Sequence, residues 1–371
     1  MNIIPKNILD PFGTSVVTDY SRLFTELGLQ PIGNLVSRIK HPNRYLRRGI
    51  DFAHRDFDKV LEAFKGGEKI AVMSGIKPTN EFHLGSKMTA EKIIFFQKEF
   101  KAKAFYCIAD LESLVDNQTP LDEATKIAID NVADILALGL DSKNAYIYRQ
   151  SEEKRVMNLA FLFSRKITLN HLQSLYGERQ LGLYFAAFTQ AGDILLPQLP
   201  EFGGPKLVLV PIGCDQDPHI RLTRDIVTRV KDQFNFIPPT SIYHKFFRAL
   251  NGEAKMSKRD PMSFLTLNDD IEIAKKKVMN CVDGGRKTAE EQRRLGGEPE
   301  KCVNYELALF HFVEDDERIK RIYEECKTGK RLCGECKKEV AGIMAKFLRE
   351  HQKKKKKMMQ KAKKILTEQS T

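Results

Sequence analysis

The stretch that decides the fold reads IAVMSGIKPTNEFHLGSK and covers residues 70–87. Its first six residues are an apolar run of strand length that ends on Gly75, and a Pro-Thr-Asn turn separates this run from an amphipathic pattern that begins at His83. A strand, a tight turn and a helix N-terminus direct backbone N–H groups and the positive end of the helix dipole to one place. That place suits a phosphate, with His83 as a further donor and Gly85 allowing close approach to the helix backbone. Taken alone, the pattern also fits a helix-start histidine held by local hydrogen bonds.

The alternation of strand and helix continues beyond this stretch. Apolar runs at 104–110, 145–148 and 206–212 are separated by helical patterns, among which residues 121–138 show a clear 3.6-residue period. Such alternation predicts a parallel sheet with right-handed crossovers, and therefore an α/β fold with a Rossmann-like domain. The chain contains neither G-x-G-x-x-G nor the Walker A lysine motif, which removes the main support for a dinucleotide site or a P-loop.

Past residue 270 the strand patterns stop and helical patterns remain. We therefore predict three parts: a lead-in segment with short helices over 1–69, a Rossmann-like domain with a helical insertion over 70–267, and an all-helical domain over 268–371. The last domain ends in a basic tail that is densest in lysine over 353–364. Such a tail fits the phosphates of a nucleic acid and a solvated, disordered segment equally well.

Composition narrows the classes of partner and compartment. The 371 residues carry a net charge of +12 and have a pI near 9.2, which favours a polyanionic partner, although general solubility explains the charge as well. No apolar stretch approaches the ~18 residues that a membrane span needs, so we expect no membrane association. The first residues lack a signal-peptide pattern, so we expect a cytoplasmic location. The chain has seven cysteines and no tryptophan, and its cysteines favour a metal site or inert thiols over a disulfide framework.

Polar residues follow the predicted strands and lie on one predicted helix. In open α/β sheets, ligands bind at the carboxyl ends of the strands where the chain order switches. Three strand ends, at residues 73–75, 110–112 and 213–216, supply polar candidates, and the helical stretch TQAGDIL over 189–195 adds more. Glu112, Gln190 and Gln216 offer acceptors that suit the ammonium group of an amino acid. Each of them alone fits a surface or capping residue, but together they indicate an amino-acid pocket.

A second stretch, NGEAKMSKRDP over residues 251–261, places two lysines around Met-Ser in a loop between a glycine and a proline. Together with HLGS it resembles the HIGH and KMSKS signatures of class I aminoacyl-tRNA synthetases. Two positions depart from those signatures, because Ser86 stands for the second His and Arg259 for the last Ser. No role for these two side chains follows from the resemblance.

Further strings extend the resemblance to nearly the whole chain. Several strings look like those of archaeal and eukaryotic tryptophanyl-tRNA synthetases. They are GCDQDPHIRLTRD over 213–225, LRRGIDFAHRD over 46–56 and glycine-rich strings at 284–286 and 296–302. The resemblance implies activation of L-tryptophan by ATP and Mg²⁺ to tryptophanyl-adenylate, followed by transfer to tRNA(Trp). It also implies a homodimer, a catalytic domain over 70–267 and an anticodon-binding domain over 268–371.

The resemblance also implies which residues form the ATP site. The catalytic residues would be His83, which holds the ATP phosphates, and Lys255 and Lys258, which stabilise charge that develops on pyrophosphate. The implied ATP-binding set is Gly75, Thr79, His83, Gly85, Gly213, Asp215, Lys255, Met256, Ser257 and Lys258. We expect the loop that follows Gly252 to close over ATP, as lids do.

The implied substrate-binding residues form two groups, Glu112, Gln190 and Gln216 for the ammonium group and Met73, Cys107 and Asp193 around the indole. Enzymes of the eukaryote-like branch read the indole with a Tyr and a Gln at the positions of Met73 and Cys107, so this chain departs from that pattern. Asp193 matches an Asp of the bacterial enzymes that accepts the indole N–H. We predict that Asp193 reads the indole while Met73 packs against the ring, and that phenylalanine is rejected because it would leave the carboxylate unpaired.

Two alternatives stay open at this point. Tyrosyl-tRNA synthetases share Gln-x-x-Asp in this helix, but their phenol-reading Tyr falls at Met73 and their amino-group Tyr near Ala186, and this chain has neither. The second alternative is a synthetase-derived RNA-binding protein without catalysis, which the HLGS string and the residues Met73 and Cys107 suggest.

Four cysteines near the end of the chain have the spacing of a metal site. Cys302, Cys326, Cys333 and Cys336 have 23, 6 and 2 residues between them. A C-x-x-C pair with two further thiols suits zinc or an iron–sulfur cluster, and a set of thiols that holds nothing is the remaining interpretation. Some tryptophanyl-tRNA synthetases carry a [4Fe–4S] cluster in the anticodon-binding domain on similar spacing. The resemblance therefore favours a [4Fe–4S] cluster, with zinc as the alternative.

Overall fold

The structure of the chain is a computed structural model that describes residues 9–12, 17, 19–253 and 260–368. The described residues form two compact units. The first unit contains the described residues up to Asn80, the segment Thr89–Lys245 and the described residues from Met358 onward, and the second contains Glu81–Met88 and Phe246–Lys357. The functional division predicted at residues 70 and 268 stays a prediction.

The first unit contains one seven-stranded mixed sheet. Its strands are β1 (Gln30–Pro31), β2 (Asp51–Arg55), β3 (Ile70–Ile76), β4 (Lys103–Ile108), β5 (Ala145–Arg149), β6 (Leu207–Gly213) and β7 (Thr240–His244). They lie in the order β1-β2-β7-β6-β3-β4-β5. The strands from β3 to β7 pair in parallel, whereas β2 is antiparallel to β7 and β1 is antiparallel to β2. The predicted α/β fold with a parallel sheet is therefore confirmed.

Three strands were not predicted from the sequence. Strands β1 and β2 belong to the lead-in segment, for which short helices alone were expected, and they extend the parallel sheet with antiparallel pairs. Strand β7 is five residues long and buried at every position, so it has no polar–apolar alternation that a sequence pattern would reveal.

Eleven α-helices begin before residue 246 in the part of the chain that the structure describes. They are α1 (Arg22–Glu26), α2 (Gly33–Val36), α3 (Arg44–Arg47), α4 (Phe57–Lys65), α5 (Leu84–Glu99), α6 (Asp110–Asn117), α7 (Leu121–Leu138), α8 (Lys154–Ser164), α9 (Leu169–Tyr176), α10 (Leu181–Leu195) and α11 (Asp217–Arg229). Helix α7 has the bounds that its period predicted, and it ends on Gly139 in the left-handed conformation. Helices α8 to α11 pack with β3 to β6 in one apolar core of the first unit.

Helices α12 to α16 follow residue 270. They are α12 (Ile271–Asn280), α13 (Ala289–Leu295), α14 (Val303–Leu307), α15 (Asp316–Lys327) and α16 (Cys333–Thr367). The basic tail is thus the last part of one 35-residue helix through Thr367. Within the described part of the second unit, strand-type pairing is limited to one bridge between His83 and Thr266. None of the helices that the structure describes combines the length and the apolarity needed to cross a bilayer.

Candidate active site

The carboxyl ends of β3, β4 and β6 form one edge of the sheet in the first unit. Strand β3 pairs with β4 on one side and with β6 on the other, so the chain order reverses there, at the position where open α/β sheets bind ligands. The register places Gly75 opposite Cys107. A Cβ atom at Gly75 would lie 2.5 Å from the carbonyl oxygen of Cys107, so the close pairing of β3 with β4 requires glycine at this position.

Asp193 is a buried carboxylate on α10, next to the ends of β4 and β5. It is 1% exposed. Its Oδ1 accepts a hydrogen bond from Tyr148 Oη at 2.8 Å, and its Oδ2 accepts one from Gln150 Nε2 at 2.6 Å. Burial raises the pKa of Asp193 to about 7, while hydrogen bonds from Gln150, Tyr148 and Cys107 act in the lowering direction.

Helix packing explains how this carboxylate reaches the strands. A Cβ atom at Gly192 would lie 2.9 Å from the carbonyl oxygen of Val156 on α8, so glycine allows α10 to lie directly against α8. Met73 and Cys107 belong to the same buried cluster as Tyr148. Burial raises the pKa of the Cys107 thiol well above its usual range, so Cys107 is a neutral group beside Asp193. The three residues predicted around the indole therefore share one buried region.

Glu112, the residue predicted to contact the substrate ammonium, already faces a cation. Its Oε1 lies 3.0 Å from the Nζ of Lys77, and the same Nζ lies 2.5 Å from Oδ2 of Asp116. Burial lowers the pKa of Lys77, but the charges of Glu112 and Asp116 outweigh it and leave that pKa raised. Lys77 was not predicted from the sequence, although its position between β3 and the HLGS string was a usable signal.

Gln150 links the Asp193 carboxylate to the backbone of Glu112. Its Oε1 accepts a hydrogen bond from the backbone N–H of Glu112 at 3.4 Å, while its Nε2 donates to Asp193. Gln150 opens a short 3₁₀ turn, Gln150–Glu152, directly after β5 and is 1% exposed. Neither Tyr148 nor Gln150 was identified from the sequence, because no local pattern marks them as partners of a residue more than 40 positions away.

The remaining predicted contacts of the first unit lie on short loops and helices. Asp215 and Gln216 lie on a 3₁₀ turn, Cys214–Gln216, that follows Gly213 at the end of β6. Gln216 Nε2 donates to Asp215 Oδ2 at 3.1 Å, and both side chains are half-buried. Gln190 lies on α10, three residues before Asp193, and Thr79 donates its backbone N–H to the carbonyl of Lys77 at 2.9 Å. Their contacts with substrate stay predictions.

His83 caps the N-terminus of α5 in the second unit. Its Nδ1 accepts hydrogen bonds from the backbone N–H groups of Gly85 at 3.0 Å and Ser86 at 3.3 Å. A Cβ atom at Gly85 would lie 2.9 Å from the imidazole ring, so glycine is required for this cap. With Nδ1 as an acceptor, the neutral ring carries its proton on Nε2, which lies 3.4 Å from Ser86 Oγ. These local hydrogen bonds hold the ring in place, and its contact with a ligand stays a prediction.

The HLGS string is hydrogen-bonded to the segment that follows the lysine loop. Leu84 N donates to Leu265 O at 3.2 Å and Leu267 N donates to Phe82 O at 2.8 Å. The base of the loop is closed by a hydrogen bond of 2.7 Å from Leu250 N to Ser263 O. The predicted residues Lys255, Met256, Ser257 and Lys258 lie outside the described residues.

The four cysteines of the predicted metal site line one cavity in the second unit. Cys302, Cys326, Cys333 and Cys336 surround it together with Asn304, Lys337 and other residues. A Cβ atom at Gly285 would lie 2.8 Å from Cys333 Sγ, and one at Gly297 would lie 2.7 Å from Cys326 Sγ. Among the described residues, no three His, Cys, Asp or Glu side chains form a group that could hold a single metal ion.

Burial favours the protonated form of these thiols. Burial raises the pKa of Cys333 to about 11 and that of Cys336 to about 12. Asn304 Nδ2 donates to Cys336 Sγ, and Tyr305 N donates to Cys302 Sγ, both at 3.3 Å. The cavity therefore has a donor set of soft sulfur atoms, two of them supported by N–H groups, and glycines leave space beside the other two.

Comparisons with known proteins agree with the resemblance found in the sequence. The family model of class I tRNA synthetases for tryptophan and tyrosine matches residues 65–349. The chain is 43% identical to the tryptophan–tRNA ligase of Hyperthermus butylicus, over 93% of this chain and 94% of that protein. It is 38% identical to the tryptophan–tRNA ligase of Methanocaldococcus jannaschii, over 96% and 98%. The crystal structure of the tryptophanyl-tRNA synthetase from Aeropyrum pernix superposes with a TM-score of 0.90 at 42% identity, over 96% of this chain and 99% of that chain.

The chain belongs to the class I tRNA synthetases for tryptophan and tyrosine. Within that class it groups with the tryptophan–tRNA ligases, as the strings at 46–56, 213–225 and 284–302 predicted. The fold and the position of the site at the switch point of the sheet agree with this membership.

Proposed function

We propose that the protein activates L-tryptophan with ATP to tryptophanyl-adenylate and then transfers tryptophan to tRNA(Trp). The observation that carries this proposal is the buried carboxylate of Asp193, which lies beside Cys107 at the carboxyl edge of the sheet. Cys107 belongs to the same buried cluster as Met73. A carboxylate with spare acceptor capacity in a mostly apolar site suits one substrate feature, a ring N–H. Phenylalanine has no donor to offer it, and tyrosine carries its hydroxyl at the far end of a smaller ring.

Activation needs no protein nucleophile. The tryptophan carboxylate attacks the α-phosphorus of ATP in line, the bond to the β-phosphate oxygen breaks, and pyrophosphate leaves. The protein therefore contributes positioning and stabilisation of the charge that develops on the leaving group. His83 and the N-terminus of α5 bind phosphate oxygens, and Lys255 and Lys258 neutralise pyrophosphate. Mg²⁺, when bound, neutralises further charge on the phosphate oxygens.

The hydrogen bonds between the HLGS segment and residues 265–267 support a shared role for His83 and the lysine loop. Arg259 and Leu265 are six positions apart, and an extended chain of that length spans at most about 20 Å. The loop that carries Lys255 and Lys258 is therefore tethered to the strand-like segment that pairs with His83. This tether favours one triphosphate site over two separate basic sites.

The experiment that tests the reaction is ATP–pyrophosphate exchange across a panel of amino acids. We expect exchange with tryptophan and, at equal concentration, no measurable exchange with tyrosine or phenylalanine. Exchange with tyrosine instead would make the protein a tyrosyl-tRNA synthetase. Tryptophan binding without exchange by any amino acid would favour the non-catalytic RNA-binding alternative.

The four-cysteine cavity is the site for a [4Fe–4S] cluster in this proposal, with zinc as the alternative. Cys302, Cys326, Cys333 and Cys336 would hold it, and the group would fix three separate segments of the second unit to one another. Iron, sulfide and zinc analysis of protein purified without oxygen tests the assignment, together with the visible absorption that a cluster gives. Protein that contains none of these elements would contradict it.

The lysines at the end of α16 are the candidate tRNA contacts, and the all-helical domain after residue 268 is the candidate anticodon-binding domain. Lys353, Lys354, Lys356 and Lys357 are exposed, whereas Lys355 is buried and donates to Asn268 Oδ1 at 2.6 Å. Replacing the four exposed lysines with glutamine should raise the KM for tRNA and flatten its dependence on salt, without changing ATP–pyrophosphate exchange. An unchanged KM would remove this helix from the tRNA interface.

A homodimer in the cytoplasm completes the proposal, and exposed apolar side chains on α8 and α10 support the dimer. Met157 and Phe161 are four residues apart on α8, and Leu181 and Phe185 are four residues apart on α10, which packs against α8. Phe161 is 70% exposed and Leu181 is 76% exposed. Phe161→Glu together with Leu181→Glu should convert a dimer to monomers in sedimentation velocity; a dimer that persists would exclude this face.

A further inference from the structure

The acceptor side of the pocket depends on two residues that lie almost next to each other in the sequence. Tyr148 is the fourth residue of β5, and Gln150 opens the 3₁₀ turn that follows this strand. Both side chains are at most 2% exposed, and each donates to a different oxygen of Asp193, at 2.8 Å from Tyr148 and 2.6 Å from Gln150. Two anchors on two oxygens fix both the position and the plane of the carboxylate.

We propose that Tyr148 and Gln150 are a specificity-determining pair of positioning residues, which hold the Asp193 carboxylate as an oriented acceptor for the indole N–H. This inference rests on the proposed function, because it assumes that Asp193 reads the indole. It adds the residues that position the Asp193 carboxylate for the indole N–H. Neither member of the pair needs to touch the substrate.

Tyr148 and Gln150 are uncharged donors, so the Asp193 carboxylate keeps its negative charge for the substrate. An ionised carboxylate has about four lone-pair sites. Tyr148 and Gln150 use two of them and the Cys107 thiol uses a third, which leaves one for the substrate. An arginine or lysine in their place would neutralise the charge of Asp193 and compete with the ring N–H. Uncharged donors compensate part of the burial of Asp193 and leave its negative charge for the substrate.

The orientation of the Gln150 amide follows from its two partners. Nε2 faces an acceptor, Asp193 Oδ2, and Oε1 faces a donor, the backbone N–H of Glu112. The reversed orientation would place a carbonyl oxygen against a carboxylate oxygen. Gln150 therefore joins the acceptor for the indole to the start of α6, which carries the predicted ammonium contact.

The ionisation of Asp193 depends on groups from four elements packed around it. Tyr148 belongs to β5, Gln150 to the 3₁₀ turn after it, Cys107 to β4 and Glu112 to α6. Hydrogen bonds from the first three act to lower the pKa of Asp193, whereas burial and the charge of Glu112 act to raise it. Removing Tyr148 Oη or Gln150 Nε2 should therefore favour the protonated carboxyl, which is a weaker acceptor for the indole N–H.

The test compares Tyr148→Phe and Gln150→Met with a matched control, Tyr146→Phe. Tyr146 lies two residues earlier on the same face of β5 and its ring stacks on Tyr148 at 5.2 Å, but its hydroxyl donates to Glu153 instead of Asp193. The readout is kcat/KM for tryptophan in ATP–pyrophosphate exchange, measured from pH 6 to pH 9, beside the ratio for tryptophan over phenylalanine. Thermal unfolding of each variant at pH 8 identifies any that fails to fold.

For Tyr148→Phe and Gln150→Met we expect the acidic limb of kcat/KM for tryptophan to move to higher pH by about one unit. At pH 7 kcat/KM should fall about tenfold and should recover toward pH 9. Discrimination against phenylalanine should be weaker in both variants. Tyr146→Phe should follow the wild type. An unmoved acidic limb and unchanged discrimination in the two folded variants would overturn the inference. If one of the two does not fold, the other decides.

A fourth variant separates this inference from the function on which it rests. If Asp193→Ala retains wild-type kcat/KM and discrimination, Asp193 does not read the indole and the proposed recognition fails with the inference. If Asp193→Ala loses activity while Tyr148→Phe and Gln150→Met behave as the wild type, the proposed recognition holds and the positioning pair is wrong.

Discussion

The two carboxylates of the amino-acid pocket balance their buried charge in opposite ways. Asp193 is 1% exposed and is held by uncharged donors, whereas the side chain of Glu112 is 15% exposed and pairs with the ammonium group of Lys77. Uncharged donors leave the charge of Asp193 for a neutral N–H, while a cation on Glu112 has to share that carboxylate with the substrate. The difference predicts that the indole end is rigid and selective and that the ammonium end is exchangeable.

The largest effect should come from removing the ring N–H of the substrate. Benzothienylalanine, which carries sulfur in its place, leaves Asp193 without its partner, so kcat/KM in ATP–pyrophosphate exchange should fall on the order of 10⁴-fold. The control ligand is 7-azatryptophan, which keeps the N–H and should be accepted. If benzothienylalanine is used within about tenfold of tryptophan, the indole end is not selective through this hydrogen bond.

The next effect should come from Glu112→Gln, which removes the charge that faces the substrate ammonium. Hydrogen bonds to charged groups contribute about 1.5–3 kcal/mol, so kcat/KM for tryptophan should fall about 10- to 100-fold. The matched control is Asp116→Asn, which removes the other carboxylate bound to Lys77 and should have a small effect. Equal losses in both variants would mean that the cluster acts through its total charge instead of through Glu112.

The pH dependence of kcat/KM for tryptophan should distinguish the indole end of the pocket from the ammonium end. The pKa of Asp193 is raised to about 7, so its ionised form, the better acceptor, is lost as the pH falls through that value. We expect kcat/KM for tryptophan to rise with pH and to level off above about pH 8, with a slope of up to tenfold per unit below pH 7. Glu112→Gln should keep this limb and move it to lower pH, because the charge of Glu112 acts to raise the pKa of Asp193. A limb that disappears in this variant would assign the titration to the ammonium end.

The smallest effect, and one of opposite sign, should come from Lys77→Met. Removing the cation that occupies Glu112 should tighten tryptophan binding in the absence of ATP about two- to fivefold, the range expected of a partly exposed ion pair. Isothermal titration calorimetry measures this Kd directly. Weaker binding would show that Lys77 orients Glu112 for the substrate instead of competing with it.

The fold was predictable where a local pattern repeats. Helix α7 shows its period over 18 residues, and both of its ends agree with the prediction, because helical spacing and a final glycine are encoded locally. Strands β1, β2 and β7 were missed because they are short, and a fully buried strand such as β7 has no alternating face. The antiparallel additions to the sheet therefore had no signal of their own.

The site was predictable as a set of residues and not as a set of partners. The sequence identified Glu112 at a predicted strand end and Asp193 through the resemblance, but the groups that set their electrostatics come from other elements. Tyr148 is 45 positions from Asp193, and Lys77 is 35 positions from Glu112. Such pairs arise from the packing of β5, α6 and α10, which no single stretch of sequence records.

The chain itself contains no tryptophan. The fluorescence of a bound tryptophan can therefore report on the buried surroundings of Asp193. A tryptophan molecule bound beside this carboxylate is the sole indole fluorophore of the complex, and its emission reports the polarity around Asp193 without background from the protein. Changes at Tyr148, Gln150 or Lys77 can thus be followed as spectral shifts of the ligand. The substrate serves as its own probe of the pocket.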